Sequence, residues 1–389
     1  MFGVGEMRGP SSAGHPVFVI SGEEKMSDLS RIAAASLLVA TVALGSIAAG
    51  AATQQFLPDI IISSTVPSNG DLNPYGVAFV PPGFPSGGTI ASGDILISNF
   101  NNKRNLQGTG TTIAKLTPND GVIAPPGQAT TFFTSSATGL TTALGVLNAG
   151  SVLVGNLPNS HGKLSPGSLQ LNNRNGKLIQ TITDKLDGPW DLTIADHTDT
   201  ATVFVSNVLS GTVTRLNSTN LMASPNAVQV KAVVIGSGYT VQPNAAALIL
   251  GPTGLAYDAA ADTLYVASTA DNEIFAVSQA GTRMSSSGKG TVIFQDEHLR
   301  GPLALAFAPN GDLITSNGDA VNADPTQPSE IVEFTKLGKF IGQFDVDAGQ
   351  GGAFGLAIAL VGPNTARLAA VDDNTNSIIA IDQGVVPGG

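Results

Sequence analysis

A unit of three short apolar strands recurs along this chain, and this recurrence constrains the fold more than any other feature. The clearest copy covers 251–277, where Gly251-Pro252-Thr253-Gly254-Leu255-Ala256 opens the first strand. Leu264-Tyr265-Val266-Ala267 and Ile274-Phe275-Ala276-Val277 form the other two, and turn residues separate them. The first strands of the six copies lie at 73–79, 142–147, 188–194, 251–256, 301–307 and 354–358.

A further apolar segment follows each of the first five copies, so each copy predicts a four-stranded antiparallel sheet. Six such sheets suit a propeller, in which radial closure leaves only short, protected edges. The last copy lacks a fourth strand, whereas the apolar stretch 56–62 belongs to no copy. We therefore predict an all-β, six-bladed β-propeller of four-stranded antiparallel blades, closed by the N-terminal strand of the mature chain. A pair of β-sandwiches is the competing fold, and the six-fold recurrence argues against it.

Composition narrows the classes of partner and chemistry. The formal net charge is −11, and an acidic surface repels phosphate backbones, so we expect no nucleic-acid partner. The chain has no cysteine, which excludes disulfides, thiolate metal sites and cysteine nucleophiles. Charged residues make up only 12% of the chain, and 46 glycines fit short strands joined by many turns.

The N-terminal part has the pattern of an export signal. Residues 1–25 show no periodicity and are interpreted as a non-structural extension or a misassigned start before Met26. Residues 26–52 combine Arg31, a short apolar run and Ala49-Gly50-Ala51, which predicts a bacterial signal peptide cleaved near Ala51. An uncleaved membrane anchor is the alternative. The mature chain, 53–389, is then a periplasmic or secreted propeller with no membrane span, and we expect a monomer.

The pattern at 251–277 resembles the NHL repeat: Gly-Pro-x-Gly-Leu-Ala, then Leu-Tyr-Val-Ala, then Asn-x-Ile-x-x-Val. The resemblance is close at 251–294 and 301–344 and looser in the other copies. It implies a six-bladed propeller of the superfamily that includes SMP-30/gluconolactonase-type lactonases, streptogramin lyase-like enzymes and non-catalytic binding proteins. A fold with so many functions is a weak guide to activity.

Two family motifs are absent. The resemblance to gluconolactonases implies a glutamate calcium ligand just before the first Gly-Pro-type start, where this chain has Asp71-Leu72-Asn73-Pro74. Streptogramin lyase-like repeats tend to end the second strand with glutamate, whereas here it ends in Asn, Thr or Asp. No Gly-x-Ser-x-Gly, His-Glu-x-x-His or phosphate-loop motif is present.

Resemblance to characterised propellers implies a ligand site at one mouth of the central channel. The loops that join the second and third strands of each blade line this mouth, together with the loops that enter each innermost strand. Six residues follow the second strands there and predict a ring of ligand-binding groups: Asn99, Asn156, Asn207, Thr269, Asn317 and Asp373. Amide and carboxylate oxygens suit Ca²⁺ or another divalent cation, with Asn207 and Asp373 as metal ligands, or a small polar ligand such as a sugar. The alternative is turn chemistry, because Asn and Asp side chains bond the local backbone.

Few side chains offer acid–base chemistry near this mouth. His161 and His298 are candidate general bases, although a solvated loop histidine is the alternative for each. We expect Lys103 and Arg104 to be surface charges, and binding of an anionic ligand is the alternative. His197 belongs to a first-to-second strand turn and therefore to the opposite end of the channel.

Two functions from different classes follow. The first is a binding or scaffold protein that takes an unknown small polar ligand or a protein partner at one mouth of the channel. The second is a metal-assisted hydrolase or lyase, lactonase-like, that uses the Asn/Asp ring and one of the two histidines. The scarcity of ionisable residues favours the first.

Overall fold

A computed structural model describes residues 60–119, 122–123, 129–222, 228–318 and 329–385. The sequence boundaries at 25 and 52, and the signal peptide, lie outside the described residues. In chain order the strands are β1 Ile60–Ser64, β2 Leu72–Phe79, β3 Ile95–Asn101, β4 Thr112–Leu116, β5 Pro118–Asn119, β6 Val122–Ile123, β7 Thr130–Thr134, β8 Leu140–Leu147, β9 Ser151–Asn156, β10 Asn159–Ser160, β11 Lys163–Leu164, β12 Ser168–Asn173, β13 Leu178–Ile182, β14 Pro189–Asp196, β15 Thr200–Asn207, β16 Thr212–Thr219, β17 Gln229–Ser237, β18 Gln242–Asn244, β19 Leu248–Leu250, β20 Pro252–Asp258, β21 Thr263–Ser268, β22 Glu273–Ser278, β23 Thr291–Phe294, β24 Pro302–Phe307, β25 Leu313–Asn317, β26 Ser329–Phe334, β27 Phe340–Asp347, β28 Ala353–Gly362, β29 Thr365–Asp372 and β30 Ser377–Gly384.

Six four-stranded antiparallel sheets form the blades, which confirms the predicted all-β propeller. From the innermost strand outward, blades 1 to 6 are β2-β3-β4-β7, β8-β9-β12-β13, β14-β15-β16-β17, β20-β21-β22-β23, β24-β25-β26-β27 and β28-β29-β30-β1. Three two-stranded hairpins, β5-β6, β10-β11 and β18-β19, lie in the connections. No helix in the described part of the chain is long and apolar enough to cross a membrane.

The N-terminal strand closes the ring, as the sequence predicts. Strand β1 pairs antiparallel with β30, from Ile60 opposite Ile381 to Ser64 opposite Ser377. Thr65 then donates its hydroxyl to the carbonyl oxygen of Asn376 at 2.8 Å. The last blade therefore contains the first described strand and the last three.

Apolar side chains fill the space between neighbouring blades, because each blade buries both faces. Between blades 3 and 4, for example, Phe204 and Val213 pack with Leu255, Leu264 and Phe275. Similar clusters join blades 1 and 2, 2 and 3, 4 and 5, and 5 and 6. The core of this propeller is thus a series of interfaces around the axis.

Every innermost strand carries a β-bulge at the same place. The pairing shifts between Pro74 and Val77 in blade 1, and the equivalent shifts are Leu140/Leu144, Pro189/Leu192, Pro252/Leu255, Pro302/Leu305 and Ala353/Leu356. A proline suits this position because it has no N–H to donate to the interrupted ladder. The Gly-Pro starts seen in the sequence are therefore the bulges that bring the chain to the central channel.

Serines on the second strand satisfy the backbone N–H groups that three of these bulges leave free. Ser98 accepts from the N–H of Gly76 at 2.7 Å, and Ser206 and Ser316 accept equivalent bonds in blades 3 and 5. Ser98 also donates to the carbonyl oxygen of Thr141 in blade 2. These bonds hold neighbouring blades together close to the axis.

Candidate functional site: the central channel

The channel has two ends, which differ in the connections around them. We call the end with the first-to-second strand turns the hairpin face. The end with the second-to-third strand connections and the chain segments that enter each innermost strand is called the loop face. The sequence analysis places the ligand site at the loop face.

Aromatic rings occupy the axis at the loop face. Tyr75 of blade 1 stacks on Phe100 at 4.5 Å and on Phe354 of blade 6 at 4.6 Å between ring centroids. It also meets Trp190 of blade 3 edge-on at 5.5 Å. Blades 1 and 3 are not neighbours, so a contact between Tyr75 and Trp190 reaches past blade 2. We call these four residues the aromatic plug.

Loops of the same face cover the aromatic plug. Ile249, from the hairpin before blade 4, belongs to the same buried cluster, and Leu164 and Val241 pack against it. Gln107, in the blade 1 loop, donates its amide to the carbonyl oxygen of Ala246 at 2.6 Å. Blades 1 and 4 lie on opposite sides of the ring, so this bond bridges the covered mouth. Within the described residues, the loop face offers a packed apolar surface to the axis.

The six predicted strand-end residues share one register in four blades and differ from it in two. Asn99, Asn156, Asn207 and Asn317 lie opposite the bulge in their blades. In blades 4 and 6 the equivalent residues are Ser268, opposite Pro252, and Asp372, opposite Ala353. Thr269 and Asp373 each lie one residue further along.

Five residues of this ring form hydrogen bonds with nearby strands and connections, some in the same blade and some outside it. Asn207 accepts from the N–H of Asp187 at 3.0 Å and donates to the hydroxyls of Thr212 and Thr214. Asn317 accepts from the N–H of Arg300 at 2.9 Å. Asn156 likewise accepts from Ser168, Asn99 donates to the carbonyl oxygen of Thr65, and Thr269 donates to the carbonyl oxygen of Pro302. These bonds give the five residues a structural role between segments that lie 12 to 34 residues apart, which differs from the local turn bonds of the alternative, and ligand binding by them stays a prediction.

Asp373 is the ring position with the most perturbed chemistry. Burial, and then the neighbouring Asp372 carboxylate, raise the pKa of Asp373 to about 7. Asp373 also contributes, after burial, to the raised pKa of the Tyr75 hydroxyl, which places the two groups close together. Asp372 is buried and accepts from the hydroxyl of Thr375 and the N–H of Asn374.

Metal binding by Asn207 and Asp373 stays a prediction. The side-chain oxygen of Asn207 already accepts a backbone N–H, and Asn207 and Asp373 belong to blades 3 and 6, on opposite sides of the ring. No group of three His, Asp or Glu side chains with metal-binding geometry occurs in the described residues. We therefore derive no step that passes through a metal ion at these residues.

The candidate bases lie away from the axis. His161 is exposed at the tip of the β10-β11 hairpin, where its ring contacts the hydroxyl of Ser160. His298 stacks on Phe340 of the outer strand β27 and contacts Asp296 at 3.3 Å. His197 lies in the β14-β15 turn of the hairpin face, as predicted. Lys103 and Arg104 are both exposed in the β3-β4 loop.

The hairpin face, by contrast, opens into a funnel with a volume of about 660 Å³. Five of the six innermost strands line it, and the lining residues are 77–79, 192–193, 255–257, 305–307 and 356–360, together with Pro81 and Pro82. These residues are almost all apolar. Tyr257 is the single titratable one among these lining residues, and its hydroxyl donates to Asp262 at 2.9 Å.

A small cavity of about 50 Å³ lies at the inner end of the funnel and shares four of its lining residues, Val77, Leu192, Leu305 and Leu356. Asp191 lines this cavity and is nine-tenths buried. Its carboxyl group accepts from the N–H of Leu192 at 2.8 Å and from the N–H of Leu255, in blade 4, at 3.3 Å. Burial raises the pKa of Asp191 to about 8, against the lowering effect of the two N–H groups.

Asp191 lies in the predicted first strand at 188–194, and the sequence analysis assigned it no role. A signal existed in the repeat itself. In blade 3, Asp191 comes directly before the apolar Leu192. The equivalent residues in blades 1, 4 and 6 are glycines, namely Gly76, Gly254 and Gly355. A carboxylate at a position otherwise occupied by small residues next to the axis marks a departure from the repeat.

Comparisons with known proteins agree on the fold. A gluconolactonase from Xanthomonas campestris shares 13% identity, with a TM-score of 0.52, over 82% of this chain and 88% of that one. A luciferin-regenerating enzyme shares 10%, with a TM-score of 0.51, over 84% and 96%. A putative gluconolactonase shares 14%, with a TM-score of 0.50, over 84% and 94%. No protein-family model and no curated protein sequence matches this chain.

These similarities confirm the resemblance at the level of fold: the chain is a divergent six-bladed β-propeller of the architecture seen in gluconolactonase-type proteins. Identities of this size carry no activity from one protein to another.

Proposed function

We propose that this protein is a ligand-binding propeller that takes a small molecule into its central channel from the hairpin face. The observation that carries the proposal is the asymmetry of the channel. One end is a funnel of about 660 Å³ that leads to a buried acid, while the aromatic plug and its covering loops fill the other end. Ligand pockets are typically concave and mostly apolar, with few polar groups, and this funnel has those features.

The lining restricts the ligand to a largely apolar molecule. Among the described residues, no Lys, Arg or His lines the funnel or the small cavity, so neither offers a partner to an anion. Apolar surface transferred from water to such a lining gains about 25 cal/mol per Å². The sequence analysis placed a small polar ligand at the loop face, and the structure places the aromatic plug there.

We further propose that the protein works as a monomer in the bacterial periplasm or outside the cell. The signal-peptide pattern of residues 26–52 supports export, and the monomeric state stays an expectation. N-terminal sequencing of the protein recovered from the periplasm or the medium tests this, and a mature chain that starts near Ala52 is expected.

The channel proposal is tested with prodan, a neutral apolar fluorophore, because Trp190 is the only tryptophan of the chain and lies next to Asp191. Saturable energy transfer from Trp190 to prodan is expected. Ala306→Phe narrows the funnel and should abolish the transfer, whereas Thr131→Phe, on the exposed face of β7, should leave it unchanged. Urea unfolding of both variants verifies that they are folded. Transfer that is absent in the wild type, or equal in the wild type and both variants, overturns the proposal.

A metal-assisted hydrolase or lyase is the second candidate, and Asp373 favours it. A carboxylate with a pKa of about 7 suits a general base at neutral pH. Two of the similar structures are described as gluconolactonases. The thermal midpoint of the mature chain, with EDTA and then with added Ca²⁺, tests this candidate, since a bound ion raises the midpoint. A rise that Asp373→Asn abolishes shows the divalent-ion site near Asp373 that this candidate requires, and an unchanged midpoint contradicts the candidate.

A further inference from the structure

We infer that the Asp191 carboxylic acid donates a hydrogen bond to the ligand and selects apolar molecules that carry one carbonyl or hydroxyl oxygen at the inner end. This inference rests on the proposed function, because it requires the funnel to hold a ligand. It adds the chemical class of the ligand and the residue that recognises it.

The geometry places Asp191 where a ligand must end. The small cavity continues the funnel, and the aromatic plug begins immediately beyond it, since Trp190 precedes Asp191 in the chain. A molecule that fills the funnel therefore brings its leading atoms to the Asp191 carboxyl group. One polar atom of the ligand meets one acidic group there.

Asp191 keeps bonding capacity for a ligand. Each carboxyl oxygen accepts one backbone N–H, from Leu192 and from Leu255 respectively. A protonated carboxyl group additionally offers one O–H donor, and no described side chain accepts it. An oxygen acceptor on the ligand would complete this set. An unmade hydrogen bond in a buried site is costly, so a molecule without an acceptor would bind less tightly.

The surroundings keep this group neutral at physiological pH. The strands that face it contribute Val77 from β2, Thr142 and Leu144 from β8, Leu192 from β14, Leu255 from β20, Ala304 and Leu305 from β24, and Gly355 and Leu356 from β28. None of these side chains is charged or titratable. Burial thus dominates, and the pKa of Asp191 is about 8.

The same surroundings disfavour charged ligands. An anion would meet no cation, since no positively charged side chain in the described part of the chain lines either cavity. An ammonium group would need Asp191 to lose its proton, and the resulting ion pair would be buried with its desolvation cost only partly recovered. A neutral acceptor requires neither step.

Asp191 also has a structural role, because it joins blade 3 to the Leu255 N–H of blade 4. The test must therefore measure selectivity rather than stability alone. Asp191→Asn retains the size and an N–H donor, whereas Asp191→Leu retains the size and removes the donor. Urea unfolding of each variant verifies that it is folded.

Four naphthalenes of similar shape are competed against prodan: 2-acetylnaphthalene, 2-isopropylnaphthalene, 2-naphthoate and 2-naphthylmethylammonium. In the wild type, the ketone should bind about tenfold more tightly than the hydrocarbon, which an ordinary hydrogen bond supplies. Asp191→Asn should retain this preference and Asp191→Leu should lose it. Wild-type affinity for the ketone should fall as the pH rises through about 8, and that of Asp191→Asn should not change with pH.

The outcomes separate this inference from the proposed function. Equal binding of ketone and hydrocarbon, both blocked by Ala306→Phe, would leave the channel proposal standing and refute the role of Asp191. A preference for the ammonium compound that strengthens above pH 8 would show that Asp191 binds the ligand as a carboxylate in an ion pair. That result would also refute the inferred role of Asp191 as a neutral donor. Failure of all four molecules to displace prodan, with no effect of Ala306→Phe, would refute the proposed function itself.

Discussion

Replacing Asp191 by asparagine should remove a component of the pH dependence of stability. The folded chain raises the pKa of Asp191 from 3.8 to about 8, so between these values it holds a proton that the unfolded chain releases. The stabilisation is therefore fully present below pH 3.8 and is lost as the pH rises towards 8. Within that window the free energy of unfolding should fall by about 1.4 kcal/mol per pH unit on account of this residue.

The amide introduced by Asp191→Asn would be neutral at every pH, so the difference between wild type and variant isolates the contribution of the carboxyl group. From pH 5 to pH 7 the wild type should lose about 3 kcal/mol relative to the variant. A constant offset of about 1 kcal/mol is expected in addition, because an amide cannot accept both backbone N–H groups as the carboxyl group does. Asp373, whose pKa is also raised, contributes equally to both proteins and cancels.

Urea unfolding at pH 5, 6, 7 and 8 measures these differences. Asp184→Asn, a substitution at an exposed residue in the β13-β14 connection, is the matched control for the change in net charge. A wild-type curve parallel to that of Asp191→Asn would show that Asp191 ionises in the folded protein as it does in the unfolded one. That result would refute both the burial argument and the neutral donor.

Three further substitutions test other contacts. Trp190→Ala removes one ring of the aromatic plug and should lower the free energy of unfolding by about 3–5 kcal/mol in urea; a loss below about 1 kcal/mol would contradict tight packing. Arg300→Met leaves the fully buried Glu330 carboxylate without its 2.9 Å partner and should cost about 3–5 kcal/mol, which adding Glu330→Gln should partly restore. Asn207→Ala should cost about 1–3 kcal/mol by thermal or urea unfolding, because the Asp187 N–H and two threonine hydroxyls lose a buried partner; a neutral result would argue against a structural role of Asn207.

The blades could be predicted from the sequence because each is built from local signals. These signals recur: Gly-Pro starts, short apolar strands and the turns between them. Their recurrence predicted six sheets and closure of the ring by an N-terminal strand. The second copy shows the limit of these signals, because its first strand was predicted at 142–147, whereas β8 begins at Leu140. Blade 2 has a wider bulge there, between Leu140 and Leu144, and no proline to mark it.

The site was harder to predict because it depends on residues that meet only when the ring closes. Tyr75, Trp190 and Phe354 come from three blades, and nothing near them in the sequence shows that their rings fill the axis. The ligand site was therefore placed at the loop face. The predicted register was also wrong in blades 4 and 6, because the sequence does not show which residue of the second strand lies opposite the bulge. Thr269 and Asp373 were chosen there, one residue beyond the equivalent positions.

The seam between β1 and β30 has a consequence for the order in which the chain folds. Thr65 and Asn376, which bond across it, are 311 residues apart, and closing a loop of that length costs about 5 kcal/mol of chain entropy. The five internal blades pair strands that are close in sequence, so they can form before this cost is met. Until the seam closes, β30 has an unpaired edge that accepts the β1 segment of any copy of the chain. A high local concentration of newly synthesised chains therefore favours exchange of β1 between molecules. Pairing of β1 with β30 of the same chain gives a monomeric ring, and pairing with β30 of another chain gives a strand-swapped dimer.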